Sequence, residues 1–170
     1  MKKVVFDACF LSSAFGKTFP DKESAYRKLI DDLEKDGVQI IVPAPAYSEF
    51  LMGIEKDLTD FTKIFEGKKN FAIKSFDKKA ALECSFLLKD LMKNKDIKKN
   101  FSKQKIKYDY QIVSIAKIFE AECIFSDDKD VKKLCSRLGL VCKDFDSLDP
   151  PTDPELPLVG IHQSSVRNKT

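Results

Sequence analysis

Hydrophobic and polar positions along this chain follow two periods that replace one another at short intervals. Val4, Val5 and Phe6 form a β-branched and aromatic run that reads as a buried strand. Ala8 to Phe15 can start a short helix. Pro20-Asp21 looks like the entrance of the next helix, with Asp21 as its cap. Ala25, Leu29, Ile30 and Leu33 then recur at helical spacing, and Gly37 provides a stop. Val38 to Val42 is a continuous apolar run between Gly37 and Pro43, too short for a helix and of strand type. Strand, helix and strand in this order imply a right-handed parallel crossover.

The alternation continues to the far end. Pro43-Ala-Pro-Ala-Tyr-Ser-Glu-Phe-Leu opens another helix, because proline is tolerated in a first turn where its missing N–H has no helical partner. Leu58 to Phe65 reads as a short helix stopped by Gly67, and Phe71 to Phe76 as a third strand at a sheet edge. Asp77 caps a long helix that turns Ala81, Cys84, Leu87, Leu88 and Leu91 to the core. Ile112, Ile115, Ala116 and Phe119 mark the apolar face of a further helix, with Asp109 at or near its N-terminus. Cys123-Ile-Phe is a fourth strand, Val131, Leu134 and Leu138 a helix ending at Gly139, and Leu140 to Cys142 a fifth strand. From Asp149 the chain is rich in proline and polar residues and reads as an extended tail, which divides it into a domain over 1–148 and a tail over 149–170. The expected class is α/β, with a central parallel sheet of about five short strands between helices.

Composition narrows the chemistry. With 170 residues, 43% hydrophobic and 34% charged, the chain suits one soluble globular domain. No apolar run is long enough to span a bilayer and no secretory signal is visible, so no membrane role is expected. Five cysteines without a C-x-x-C pair argue against a disulfide scaffold or a zinc site. Cys84, Cys123 and Cys142 lie in apolar contexts and read as reduced core residues, which fits a cytoplasmic location. His162 is the single histidine and lies in the tail, which removes a Ser-His-Asp triad, a Cys-His pair and imidazole metal sites from consideration.

Carboxylates remain, and their positions are suggestive. Asp7, Glu49, Asp109 and the Asp127/Asp128/Asp130 group each fall at a strand exit or a helix entrance. In an open parallel sheet, sites form in the crevice beyond the carboxyl ends of the strands. Each acid alone has a bland explanation as a cap or, for Glu49, as a first-turn residue favoured by the helix dipole. Together they would line one acidic pocket. Like charges a few ångströms apart repel and raise one another's pKa, which a hard divalent cation relieves. Oxygen-only ligands favour Mg²⁺ or Mn²⁺ over zinc. Upstream of Asp109, lysines 93, 95, 98, 99, 103, 105 and 107 crowd one segment with Phe101 and Gln104 between them. Such a run is either a solvated face or a patch that contacts phosphates.

Four short blocks then resemble the PIN-domain nucleases, the family that includes the VapC-type toxins. They are Val-Val-Phe-Asp7-x-x-x-Leu11, Val42-Pro-x-x-x-x-x-Glu49, Asp109-x-x-Ile112-x-x-x-Ala116 and Ile124-Phe-Ser126-x-Asp128-x-Asp130. Their order and spacing fit from about Lys3 to Cys142. The resemblance implies a three-layer sandwich and metal-dependent endoribonuclease activity on RNA that leaves a 5′-phosphate. It carries over Asp7, Glu49, Asp109 and Asp128 as catalytic, metal-binding carboxylates, with Asp130 as a weaker fifth ligand for Mg²⁺ or Mn²⁺. One carboxylate, Asp109 or Glu49, would accept a proton from the attacking water. Lys99, Lys103, Lys105 and Lys107, with Ser126, would bind the substrate. The resemblance further implies an antitoxin protein as partner, in a toxin–antitoxin pair, and a homodimer. A hydroxyl or Asn that many members have just after the first Asp is replaced here by Ala8 and Cys9, with Ser12 or Ser13 available to substitute. Asp127 leaves the last block ambiguous by one residue.

Two other readings compete. A haloacid-dehalogenase-like phosphatase also places an Asp after the first strand, but needs a second Asp two residues on, where this chain has Cys9. A PIN fold with a degraded pocket would act as an RNA-binding or assembly module instead of an enzyme.

Overall fold

The structure is a computed structural model, and it describes residues 1–15, 20–54, 62, 67–93 and 103–148. Five parallel strands form one sheet: β1 (Lys3–Phe6), β2 (Gln39–Pro43), β3 (Phe71–Lys74), β4 (Cys123–Phe125) and β5 (Cys142–Lys143), in the order β3-β2-β1-β4-β5. Six described helices flank it: α1 (Ala8–Phe15), α2 (Pro20–Lys35), α3 (Ala44–Met52), α4 (Lys78–Lys93), α5 (Lys103–Ile118) and α6 (Lys129–Leu138). A single 3₁₀ turn, Phe145–Ser147, follows β5. The expected α/β class and parallel sheet are thus present.

The central strands are apolar at every buried position because both of their faces are covered. Alternation sends Val4, Phe6, Ile40, Val42, Cys123 and Phe125 to one face, where they pack with Phe10, Tyr26 and Ile30 of α1 and α2. Val5, Ile41 and Ile124 point the other way, onto Ala80, Val113, Ile115 and Leu134 of α4, α5 and α6. The aromatic side is interlocked: Phe6, Phe10 and Phe125 pack ring on ring, and Phe10 meets Tyr26 edge-on at 4.6 Å between centroids. Register brings Val5 beside both Ile41 and Ile124, so β1 is the axis of the sheet.

Most element ends obey local chemistry. Asp77 Oδ1 accepts the Ala80 amide at 2.9 Å and so caps α4 as expected. Gly37 and Gly139 both take positive φ, 65° and 67°, and end α2 and α6 where an L side chain would be strained. Several details differ from the sequence reading. Helix α2 already includes Pro20, so Asp21 lies inside its first turn and not before it. On α4 the core-facing residue is Ala80, fully buried, whereas Ala81 is exposed, because Ala80 lies one turn before Cys84 and two before Leu87 on the same face. Strand β5 is Cys142–Lys143 and not 140–142, since the Leu140 amide still bonds back to the Cys135 carbonyl of α6. The expected helix over Leu58 to Phe65 and the tail over 149–170 lie outside the described residues. Among the described residues, no helix is long and apolar enough to cross a membrane.

The strand order reverses at β1: β2 and β3 extend the sheet on one side, β4 and β5 on the other. That switch point opens a crevice between the carboxyl ends of β1 and β4. Asp77→Ala removes the α4 cap, two strands away from β1 in the sheet. It should lower stability by about 1 kcal/mol in urea unfolding while leaving the far-UV spectrum unchanged.

Candidate active site

Asp7 leaves β1 at the switch point and is held there by both neighbours. Its amide continues the β1–β4 ladder to the Phe125 carbonyl at 3.2 Å. Its side chain is almost wholly buried, 3% exposed. Oδ1 accepts the Phe10 amide at 3.1 Å and the Cys9 thiol at 2.9 Å, and Oδ2 accepts the Ser126 hydroxyl. The Asp7 carboxylate therefore caps α1 from its N-terminal side while its second oxygen reaches across to β4. Burial pushes the Asp7 carboxyl above its ordinary range. The three hydrogen bonds oppose that shift, and the nearby Asp128 charge adds to it.

The loop after β4 is folded around the same carboxylate. Ser126 is fully buried, and its oxygen also accepts the Asp128 amide at 3.0 Å. Asp128 caps α6 by accepting the Asp130 amide at 2.7 Å. Cys9 spans the two elements, since its sulfur accepts the Asp127 amide at 3.2 Å while its thiol donates to Asp7. Burial, followed by the Asp7 charge, drives the Cys9 thiol pKa upward, which keeps the proton needed for that donation. Asp127 turns away from the cavity. It accepts Tyr26 Oη at 3.0 Å and the Phe145 amide at 2.9 Å, which ties this loop to α2 and to the 3₁₀ turn.

Asp7, Glu49, Asp109 and Asp128 line one cavity of about 310 Å³, although they come from four separate elements. Ala8, Cys9, Ser48, Met52, Tyr108, Ile112 and Val131 complete its described lining, which includes no Lys, Arg or His. Glu49 is exposed, Asp128 half-buried and Asp109 buried. The acids share the cavity without closing up: among the described residues no three Asp, Glu, His or Cys side chains form a ready-made cluster for one ion. Like charges in a poorly solvated pocket keep apart. Oxygen donors surround the space from several sides, a set that hard divalent cations favour.

The placement of each expected residue can now be stated. Neither Glu49 nor Asp109 stands at a helix entrance. Glu49 is the sixth residue of α3 and Asp109 the seventh of α5, so both reach the cavity from helix bodies, and first-turn dipole stabilisation does not explain them. The ambiguity between Asp127 and Asp128 is resolved geometrically, because Asp128 lines the cavity and Asp127 does not. Asp130 is absent from the described lining, and its carboxylate lies 3.8 Å from Lys133. Ser126, expected at the substrate, is fully buried, with its hydroxyl donating to Asp7 and accepting the Asp128 amide. Cys9 takes the supporting place offered to Ser12 or Ser13. The spacing of Cys9 from Asp7, two residues into a helix start, was the available signal, but a thiol is easily dismissed as core. The backbone puts Lys103, Lys105 and Lys107 in the opening of α5, ahead of Asp109, and Lys99 lies outside the described residues. Met52 and Tyr108 at the cavity mouth were not anticipated.

Comparison with known proteins matches this fold. No family model matches the sequence, and no curated protein matches it. Solved structures do. A VapBC2 complex from Rickettsia felis, bound to a promoter DNA fragment, aligns with a TM-score of 0.62 at 16% identity, covering 86% of this chain and 99% of that one. A DNA-bound VapBC from Salmonella typhimurium aligns with a TM-score of 0.58 at 14% identity, over 85% and 99% of the two chains. The sarcin–ricin-loop-cleaving toxin VapC20 of Mycobacterium tuberculosis aligns with a TM-score of 0.56 at 10% identity, over 81% and 96%. The chain has the fold of the VapC-type PIN domains.

The buried Asp7 sets a pH dependence. Its folded pKa lies above the ordinary 3.8, so the native state resists ionisation that the unfolded chain accepts freely. Its contribution to stability is whole below about pH 4 and is lost as pH climbs through the raised native value. In chelator-treated buffer Asp7→Asn should therefore melt at a higher temperature than wild type near neutral pH. The gap should shrink toward pH 4 and close below it; calorimetry across that range measures it.

Proposed function

We propose that this chain is a divalent-metal-dependent endoribonuclease that hydrolyses RNA phosphodiester bonds. The observation that carries the reading is the convergence of Asp7, Glu49, Asp109 and Asp128 on one cavity at the switch point of a PIN-type sheet. The likeness of the fold to VapC toxins, one of them described as cleaving the sarcin–ricin loop, supports the choice of RNA over other phosphodiesters.

The oxygen donors fit Mg²⁺ or Mn²⁺, which Asp7, Glu49, Asp109 and Asp128 would hold. Such an ion neutralises charge developing on the scissile phosphate and lowers the pKa of an attacking water. The chain supplies the rest. Phe10 N–H, Cys9 and Ser126 fix the Asp7 carboxylate, so its orientation is set before substrate arrives. Glu49, exposed on α3, has the freedom to take the proton from the water. Ala8, Ile112 and Val131 form the apolar floor that restricts bulk water around the reacting phosphate. Lysines at the opening of α5 would hold flanking phosphates without reading sequence. The biological setting this favours is the toxin of a toxin–antitoxin pair, partnered by an antitoxin protein and acting as a homodimer.

One observation favours a second reading. No preformed ligand cluster is found among the described residues, which is what a PIN fold reduced to RNA binding would also show. Incubation of the purified chain with total RNA, with Mg²⁺, with Mn²⁺ and with chelator, followed by mapping of the cut ends, separates the two. The nuclease produces 5′-phosphate ends only with metal, and Asp7→Asn or Asp128→Asn lowers cleavage by about 100-fold or more while the fold is retained. Binding without cleavage under every condition would leave the module.

Cys9 gives a finer check. Cys9→Ser keeps a donor to Asp7 and should retain most activity. Cys9→Ala removes that donor and should cut it by about 10- to 100-fold, the range for groups that orient metal-binding side chains. Equal rates for both variants would mean the thiol does not orient Asp7.

A further inference from the structure

The carboxylate cavity has a second wall that phosphodiester chemistry leaves unused. Met52 and Tyr108 stand at its mouth 80% and 53% exposed, with Ile112 and Val131 buried behind them. Seven large hydrophobic residues are exposed among those described, and these two alone line this cavity. Their placement follows from helix geometry. Met52 lies one turn beyond Ser48 and three residues beyond Glu49 on α3, and Tyr108 lies beside Asp109 and one turn before Ile112 on α5. Each helix thus presents an acid and a large apolar group to the same space.

A phosphate is charged and a ribose is mostly hydroxyl-bearing, so neither offers these side chains a broad apolar face. The apolar faces of RNA belong to its bases. In a duplex those faces are covered by neighbouring pairs, so only an unpaired and unstacked base can present one. Base–aromatic stacking is strong and tolerates any base, because every base has a π-face. We propose that Tyr108, with Met52 opposite, forms a subsite that stacks one unpaired nucleobase beside the phosphate held by the carboxylates. Tyr108 is then a specificity-determining residue that selects flexible single strands and loops over duplex. Apart from the Tyr108 phenol, Ser48 supplies the one uncharged hydroxyl in the described lining, so few groups can touch a base edge and discrimination among bases is weak. This inference rests on the RNA reading above, but not on cleavage.

The test uses the full chain, a short single-stranded RNA, the same RNA with an abasic site moved through it, and its duplex. Binding is measured with Asp7→Asn and cleavage with wild type, each with Tyr108 intact, Tyr108→Phe and Tyr108→Ala. The expected loss for Tyr108→Ala is roughly 5- to 150-fold in Kd and KM with little change in kcat, and Tyr108→Phe restores both. One abasic position should cost as much as Tyr108→Ala, and combining the two should add nothing. Independent losses that multiply, or no effect of either change, overturn the subsite. A chain that cuts nothing but binds single strands with this non-additive pattern keeps the subsite and loses the nuclease. A chain that binds no RNA loses both.

Discussion

The structure depends on keeping one carboxylate in place where water cannot reach it. Asp7 sits at the end of the central strand, buried among apolar neighbours, and its charge is disfavoured there by desolvation. The molecule offsets that with three donors drawn from two elements: Cys9 and the Phe10 amide from α1, and Ser126 from the end of β4. These bonds also join the two strands at the point where the sheet changes direction. An interaction that orients an acid therefore also fixes the geometry of the crevice.

From this centre, constraints spread outward. Ser126 passes the restraint to Asp128 through its backbone amide, and Asp128 caps α6. Cys9 holds the Asp127 amide, and Asp127 in turn gathers Tyr26 and Phe145. Lys132 and Asp144, 2.6 Å apart, close the same corner from behind, and that contact lowers the Asp144 carboxyl below its ordinary range. Two consecutive aspartates thus have opposite duties: Asp128 faces the cavity and Asp127 anchors the loop that carries it. On the other side, α3 and α5 bring Glu49 and Asp109 to the same cavity from helix bodies. The cavity combines a rigid half, set by the sheet, with a half supplied by helices packed upon it.

That division explains which parts of the site could be read from the sequence. Asp7 was legible because a β-branched and aromatic run ends abruptly in an acid. The acidic group after β4 was legible because it precedes a helix with a clear apolar stripe, although which of Asp127 and Asp128 enters the cavity was not. The burial of Ser126 was not legible, because a Ser between a strand and an Asp looks alike whether it faces solvent or the interior. Cys9 was noted only as lacking the expected hydroxyl, because its sequence position does not show that its thiol reaches Asp7. The positions of Glu49 and Asp109 were found, but their surroundings were misplaced. Helix α5 starts at Lys103, inside a lysine-rich segment whose local composition does not announce a helix start.

Periodicity alone determined the alternation of strands and helices, the apolar strands covered on both faces, and the glycines that end α2 and α6. These are local matters, settled by side-chain shape, backbone freedom and the spacing of apolar residues within one element. Which acids share a cavity, which aspartate of the 127/128 pair enters it, and that Met52 and Tyr108 border it were decided only by tertiary structure. Those facts depend on the rotation and offset of elements separated by up to a hundred residues. Such rotations are set by packing on the sheet, where a shift of one residue turns a side chain from the cavity to the core.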